Sequence, residues 1–105
     1  MTRKKALAEL IEKVEAGEYC DHVARIRGGF DGGDLASFTL AFEGSLDAAK
    51  ALHEAVLPGW DWVIGRTNDG LTIHANVGNE AEAFDDCPAR AWLLAILRAL
   101  QERAE

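Results

Sequence analysis

Residues 60–77, which read WDWVIGRTNDGLTIHANV, decide the fold of this chain. Apolar residues alternate with other residues on both sides of a polar centre, at Trp60, Trp62 and Ile64 before it and at Leu71, Ile73, Ala75 and Val77 after it. Alternation with period two is typical of strands that bury one face. The centre, Thr67-Asn68-Asp69-Gly70, ends in an Asp-Gly pair that suits a tight turn with positive φ. The segment therefore predicts a β-hairpin.

Two segments before the hairpin have the apolar spacing of an amphipathic helix. In residues 3–16 the apolar stripe is Leu7, Leu10, Ile11 and Val14, and Gly17 is the predicted C-cap. In residues 46–56 the predicted inner stripe is Leu46, Ala49, Leu52 and Val56. Ser45 is the predicted N-cap of this second helix, with Asp47 in its first turn.

A third helix is predicted to begin at Pro88, a residue that fits the first turn of a helix. Within residues 91–100 only Arg98 is polar. Together with Arg90 and Gln101, which flank this range, it forms a narrow polar stripe. We expect this closing helix to be largely buried.

The other segments have weaker patterns. Residues 20–26 are interpreted as a short helix, with an extended piece as the alternative, and the glycine-rich residues 28–33 as a loop or hinge. Residues 38–42 are predicted as a strand, because Phe38, Leu40 and Phe42 alternate. Residues 79–86 are interpreted as a solvated acidic loop.

These elements predict an α+β fold in one domain, with a small antiparallel sheet covered by helices. Neither an internal repeat nor a linker divides the 105 residues.

The chain is acidic, with a formal net charge of -7 at pH 7. Between Gly28 and Cys87, eleven acidic residues face only Lys50 and Arg66, a local net charge of -9. Direct binding to nucleic acid is disfavoured, because such binding relies on basic groups that displace phosphate counterions. The candidate acidic interaction surface consists of Asp31, Asp34, Glu80, Glu82, Asp85 and Asp86.

Cys20 and Cys87 have no paired spacing that suggests a bridge, and both are expected to be reduced. Acidic residues interrupt what would be the apolar part of an export signal after the basic start. No stretch approaches the roughly 20 apolar residues of a membrane span. We therefore expect a soluble, cytoplasmic protein that does not bind membranes.

No constellation of residues predicts catalysis or a cofactor. A zinc site made from His22, His53, His74, Cys20 and Cys87 lacks the usual ligand spacing. Ser37 and Ser45 have no nucleophile motif around them, and the acids next to Cys87 oppose a reactive thiolate. The glycine-rich residues 28–33 lack the Lys-Ser/Thr of a phosphate loop.

Trp60 and Trp62 leave two interpretations open. They could form a stacking platform for bases, or a core layer beneath a helix. The acidity of the chain favours the core layer.

Three further segments resemble the phage ABA sandwich domain family. They are FEGSLDAA at residues 42–49, VLPGWDW at residues 56–62 and CPARAWLLAILRAL at residues 87–100, and LIEKVEAG at residues 10–17 is similar to the first helix of that family. The resemblance implies an α/β/α sandwich and expression inside an infected bacterial cell. It implies no catalytic residues.

Two hypotheses of function follow. The first is a small phage or prophage protein that is not an enzyme and acts by binding a host or phage protein, or by self-association. The alternative is an acidic inhibitor that mimics nucleic acid and blocks a host defence enzyme, as anti-restriction and anti-CRISPR proteins do. The mimic requires the acidic residues to lie on one face.

Overall fold

The computed structural model describes residues 3–18, 32–68 and 70–103. Within these ranges the elements are, in chain order, α1 (Arg3–Glu15), α2 (Gly32–Phe42), α3 (Leu46–Val56), β1 (Trp62–Arg66), β2 (Ile73–Val77), β3 (Ala81–Asp85) and α4 (Pro88–Arg103). The three strands form one antiparallel sheet in the order β1-β2-β3. The predicted short helix at residues 20–26 lies outside the described residues.

The predicted hairpin is confirmed. β1 pairs with β2 from Trp62 opposite Val77 to Arg66 opposite Ile73, and the N–H of Thr67 donates to the carbonyl of Thr72 at 2.9 Å. Gly70 has the positive φ expected in the turn, 73°. Both strands begin two residues later than predicted, since β1 starts at Trp62 rather than Trp60 and β2 starts at Ile73 rather than Leu71.

The prediction of a solvated loop at residues 79–86 is wrong, because most of this segment is strand β3. Gly78 and Asn79 both have positive φ, 63° and 59°, as the two central residues of a primed turn require. Asn76 supports the turn, because its side-chain oxygen accepts the N–H of Asn79 at 3.0 Å. The exposed Glu82 and Phe84 alternate with the buried Ala81 and Ala83, so the charge does not prevent a half-buried strand.

Helix α4 forms the centre of the core, and its predicted burial is confirmed. Ten of its residues are buried, including Trp92 and every residue from Leu93 to Leu97. One side of α4 packs on β2 and β3, and other parts of its surface contact α1, α2 and α3. A helix with neighbours on several sides must be apolar around most of its circumference.

The predicted caps are confirmed. Gly17 has a φ of 76°, and its N–H donates to the carbonyl of Val14 at 3.0 Å at the end of α1. Ser45 has extended backbone and its hydroxyl accepts the N–H of Ala48 at 3.1 Å at the start of α3.

The predicted inner stripe of α3 needs one correction. Leu46 is 46% exposed, whereas His53 is 2% exposed and faces the core. Leu46 lies in the first turn of α3, directly after the N-cap Ser45.

The strand predicted at residues 38–42 is instead the second half of helix α2. Phe38 and Phe42 share a face in a strand and also in a helix, because they are four residues apart. In the helix Phe38, Ala41 and Phe42 are buried against α3 and α4, and Leu40 is 50% exposed. The predicted loop at residues 28–33 is also wrong at its end, since Gly32 and Gly33 begin α2; residues 28–31 lie outside the described residues.

The predicted α+β class and the antiparallel sheet covered by a helix are confirmed. An α/β/α sandwich has a helical layer on each side of its sheet. Among the described residues, α4 supplies the layer on the inner side. The radius of gyration, 12.4 Å, is close to the roughly 13 Å expected for one compact domain of this length. Among the described residues, no helix has the length and apolar character that crossing a membrane requires.

Candidate interaction surface

The two faces of the sheet differ sharply in burial. Five inward-facing residues of β2 and β3 are at most 6% exposed, namely Ile73, Ala75, Val77, Ala81 and Ala83. Side chains alternate along each strand, so the intervening residues point away from α4. We call this second set the outer face: Val63, Gly65, His74, Asn76, Glu82 and Phe84.

The outer face combines exposed apolar side chains with polar ones. Val63 is 62% exposed and Phe84 is 53% exposed. No helix in the described ranges has its principal contacts on this side of the sheet. Exposed apolar groups rimmed by polar residues are typical of surfaces that bind other proteins.

His74 contacts two other side chains of the outer face. The Nε2 atom of His74 lies 3.0 Å from a carboxylate oxygen of Glu82. The rings of His74 and Phe84, which are directly opposite on β2 and β3, have centroids 4.8 Å apart. These contacts orient the three side chains before any partner arrives, which lowers the entropy cost of binding.

The predicted acidic residues do not all share this face. Glu82 belongs to the outer face, whereas Glu80 and Asp86 flank β3, in the turn before the strand and in the bend after it. Asp85 has the strand parity opposite to that of Glu82, and Asp34 lies in the first turn of α2. Asp31 lies outside the described residues.

Asp85 has a local role at the start of α4. Its side-chain oxygen accepts the N–H of Cys87 at 2.9 Å. Burial raises the pKa of Asp85 above its ordinary value of 3.8, and the neighbouring Asp86 raises it further, against the opposing effects of the Cys87 N–H and of Arg90. A carboxyl group used in this way is not free to meet a partner.

His53 is a polar residue whose burial was not predicted from the sequence. Its imidazole is buried between α3 and α4, with Nε2 2.9 Å from the carbonyl oxygen of Trp60. Its Nδ1 accepts the indole N–H of Trp92 at 3.2 Å. Both ring nitrogens are therefore used inside the protein. Its position beside Leu52 on an apolar helix face was the available signal.

The other chemical candidates remain isolated in the described ranges. Cys87 is a free thiol at the start of α4, and Ser45 caps α3. No three His, Cys, Asp or Glu side chains among the described residues are placed to share a metal ion. Cys20 and His22 lie outside those residues.

Trp60 and Trp62 face α4 rather than the outer face. The ring of Trp62 lies 4.4 Å from that of Trp92. Trp60 is partly buried against the core, and the Arg103 guanidinium lies 5.1 Å from its ring. These contacts match the predicted core layer, although Trp62 keeps 42% of its surface exposed.

The outer face itself was not predicted from the sequence. The hairpin pattern contained a signal for it, because Val63, His74 and Asn76 occupy the positions between the inward-facing residues. Recognising it also required β3, which supplies Glu82 and Phe84 and which the Gly78-Asn79 pair would have indicated.

Comparison of this chain with protein-family models, with curated proteins and with solved structures gives no match.

Proposed function

We propose that this protein acts by binding another protein through the outer face of its sheet and performs no chemistry of its own. The observation that carries the proposal is the pair of exposed apolar side chains, Val63 and Phe84, beside an oriented His74–Glu82 pair. An apolar centre with a polar rim is the usual anatomy of a protein interface.

The charge of the surface favours a partner with basic groups. Glu80 and Asp86 are exposed at the two ends of β3, and Glu82 lies between them. Complementary charge steers association and selects among partners. The proposed partner therefore presents an apolar patch bordered by Lys or Arg side chains.

The resemblance to phage ABA sandwich proteins suggests where the partner is to be sought. We propose a phage or prophage protein that works in the bacterial cytoplasm and binds a host or phage protein. Affinity capture should therefore use lysates of infected or lysogenic bacteria.

The experiment compares capture by the wild-type chain with capture by two variants. Phe84→Ser removes an apolar side chain of the outer face, and Leu40→Ser removes one of similar exposure, 50% against 53%, from α2. We expect a partner retained by wild type and Leu40→Ser, and bound at least about tenfold more weakly by Phe84→Ser.

Two results would overturn the proposal. One is a partner whose binding is equally strong for both variants. The other is turnover of a substrate that is abolished by changing one polar residue, since that would make the protein an enzyme.

The acidic inhibitor is a second candidate, favoured by three exposed acidic residues in and beside β3: Glu82 within the strand, Glu80 in the turn before it and Asp86 just after it. We call these three carboxylates the β3 row. Binding of a basic nucleic-acid enzyme through this row should weaken steeply with ionic strength. A charge-reversing Glu82→Lys variant that binds the enzyme as well as wild type would exclude it.

A further inference from the structure

The free edge of strand β1 is formed by the backbone of Trp62, Ile64 and Arg66. The pairs at both ends of the hairpin are hydrogen-bonded: Thr67 N–H donates to Thr72, and Gly78 N–H donates to Asp61. Hydrogen-bonded pairs alternate along an antiparallel ladder. The backbone N–H and carbonyl groups of Val63 and Gly65 therefore point toward β2. Those of Trp62, Ile64 and Arg66 point away from the sheet.

This β1 edge has no backbone partner among the described residues. Four of the five residues of β1 are exposed, and the strand carries no acidic residue. An exposed strand edge of apolar character is a template for pairing with another chain.

The opposite edge of the sheet, on β3, is blocked. The guanidinium of Arg98 donates to the carbonyl of Glu82 at 2.9 Å, and a second nitrogen of the same group lies 2.8 Å from a carboxylate oxygen of Glu15. A charged side chain that occupies edge carbonyls is one way in which proteins prevent strand addition. The two edges of the sheet are therefore not equivalent.

We propose that a second copy of this chain pairs with the β1 edge, antiparallel and about a two-fold axis at Ile64. In this register Ile64 lies opposite Ile64 of the second copy, and Trp62 lies opposite Arg66. All three pairs fall at hydrogen-bonded positions, where the two residues exchange both N–H···O bonds. The two sheets become one continuous sheet, and the interface is isologous, as a two-fold axis requires.

The side chains of β1 are complementary to themselves in this register. On the inner side, the Arg66 guanidinium, which donates to the carbonyl of Gly70 at 3.0 Å in the single chain, comes within reach of the Trp62 indole of the second copy, an arrangement that favours cation–π contact. On the outer side, Val63 lies opposite Gly65, so the valine meets no side chain.

Charge also favours the edge over the outer face as the site of self-association. Arg66 is one of two bases among eleven acids between Gly28 and Cys87. Pairing along β1 places this base beside the Trp62 indole of the second copy. Because β1 has no acidic residue, no two carboxylates of this strand come together. Stacking two outer faces would instead bring two copies of Glu82 together, which like-charge repulsion opposes. The outer face stays free in the dimer, so this inference does not depend on the proposed function.

Sedimentation velocity over a range of concentrations tests the mass of the full chain. We expect 11.4 kDa at dilution and twice that mass at high concentration. Amide hydrogen exchange tests the site. The amides of Trp62, Ile64 and Arg66 should become protected as concentration rises, whereas those of Val63 and Gly65 should be protected throughout.

A pair of variants separates the edge from the face. Ile64→Pro removes an N–H that does not serve β2, which a sheet tolerates at its edge, and should weaken the dimer at least about tenfold. Phe84→Ser changes the outer face on β3, at the side of the sheet away from β1, and leaves the pairing strand intact, so its dimer should persist with an unchanged dissociation constant.

The proposal is overturned if the wild-type chain keeps the monomer mass at all concentrations, or if the dimer survives Ile64→Pro. Should that variant fail to fold, hydrogen exchange of the wild type decides. Amides of Trp62, Ile64 and Arg66 that exchange at the same rate at every concentration also overturn it.

Discussion

His53 and Trp92 form a buried hydrogen bond in which the indole N–H donates to imidazole Nδ1 over 3.2 Å. The carbonyl of Trp60, 2.9 Å from Nε2, can only accept. The neutral ring with its proton on Nε2 therefore satisfies both neighbours. This one side chain joins α3, α4 and the segment that enters β1, and so fixes how the sheet meets the helices.

His53→Phe should lower the free energy of unfolding by roughly 2–4 kcal/mol. The phenyl ring keeps most of the volume but leaves the Trp92 N–H and the Trp60 carbonyl without a partner, and each unpaired buried group costs about 1–3 kcal/mol. Urea unfolding followed by circular dichroism measures the change. A loss below about 0.5 kcal/mol would contradict this account of the hydrogen bonds.

Coupling between His53 and Trp92 can be measured separately with a double-mutant cycle. Trp92→Phe removes the donor and also the indole that contacts Trp62. The combined variant should be less destabilised than the sum of the single variants, with a coupling energy of about 1 kcal/mol. Additive effects within experimental error would mean that this hydrogen bond contributes nothing.

Gly78→Ala should destabilise the fold more than Gly70→Ala does. Both glycines have positive φ, 63° and 73°, where a side chain costs roughly 1–2 kcal/mol. A Cβ at Gly78 would overlap the Trp60 ring, whereas one at Gly70 meets nothing within 4 Å. The difference in unfolding midpoint between the two variants therefore measures the Trp60 contact. Equal midpoints would show that the ring moves aside freely.

Asp85→Asn should remove a pH dependence of stability. The pKa of Asp85 is raised in the folded protein, so between the unfolded and folded pKa values the folded state binds more protons. Wild-type stability therefore gains from this residue as pH falls through the raised pKa, and loses that gain as pH rises. Asparagine keeps an oxygen for the Cys87 N–H.

The measurement for Asp85 is a series of urea midpoints between neutral and acidic pH. The stability of wild type minus that of Asp85→Asn should increase as pH falls. A difference that decreases over the same interval would mean that the carboxylate is stabilised, rather than penalised, by folding.

Ser45→Ala should cost about 1 kcal/mol, the usual effect of losing an N-cap. The hydroxyl of Ser45 accepts the Ala48 N–H, and alanine cannot replace it. Ser37→Ala, inside α2, is the matched control and should change the urea midpoint little. A similar loss for both variants would argue against a capping role.

Much of the fold follows from local patterns in the sequence. Helix α1 has apolar spacing with the period of a helix, and α4 has a long apolar run behind Pro88 with a narrow polar stripe. Caps at Gly17 and Ser45 fix where α1 ends and α3 begins. Gly70 suits the turn between β1 and β2, because its positive φ is one that few residues other than glycine adopt. These signals need no knowledge of distant neighbours.

Two elements could not be assigned from local pattern. Phe38 and Phe42 suit a strand and a helix equally, and burial of Ala41 with them between α3 and α4 decides for the helix. In β3 the charged residues indicated a loop, and pairing of Ala81 and Ala83 with β2 makes a strand of it.

The sequence by itself determined an acidic α+β chain with a buried closing helix and a hairpin, because periodicity, caps and turn residues act over a few neighbours. The tertiary structure alone decided the outer face, the open β1 edge and the burial of His53. Each depends on which strand or helix lies beside which, and residues far apart in the chain meet only when the core around α4 has formed.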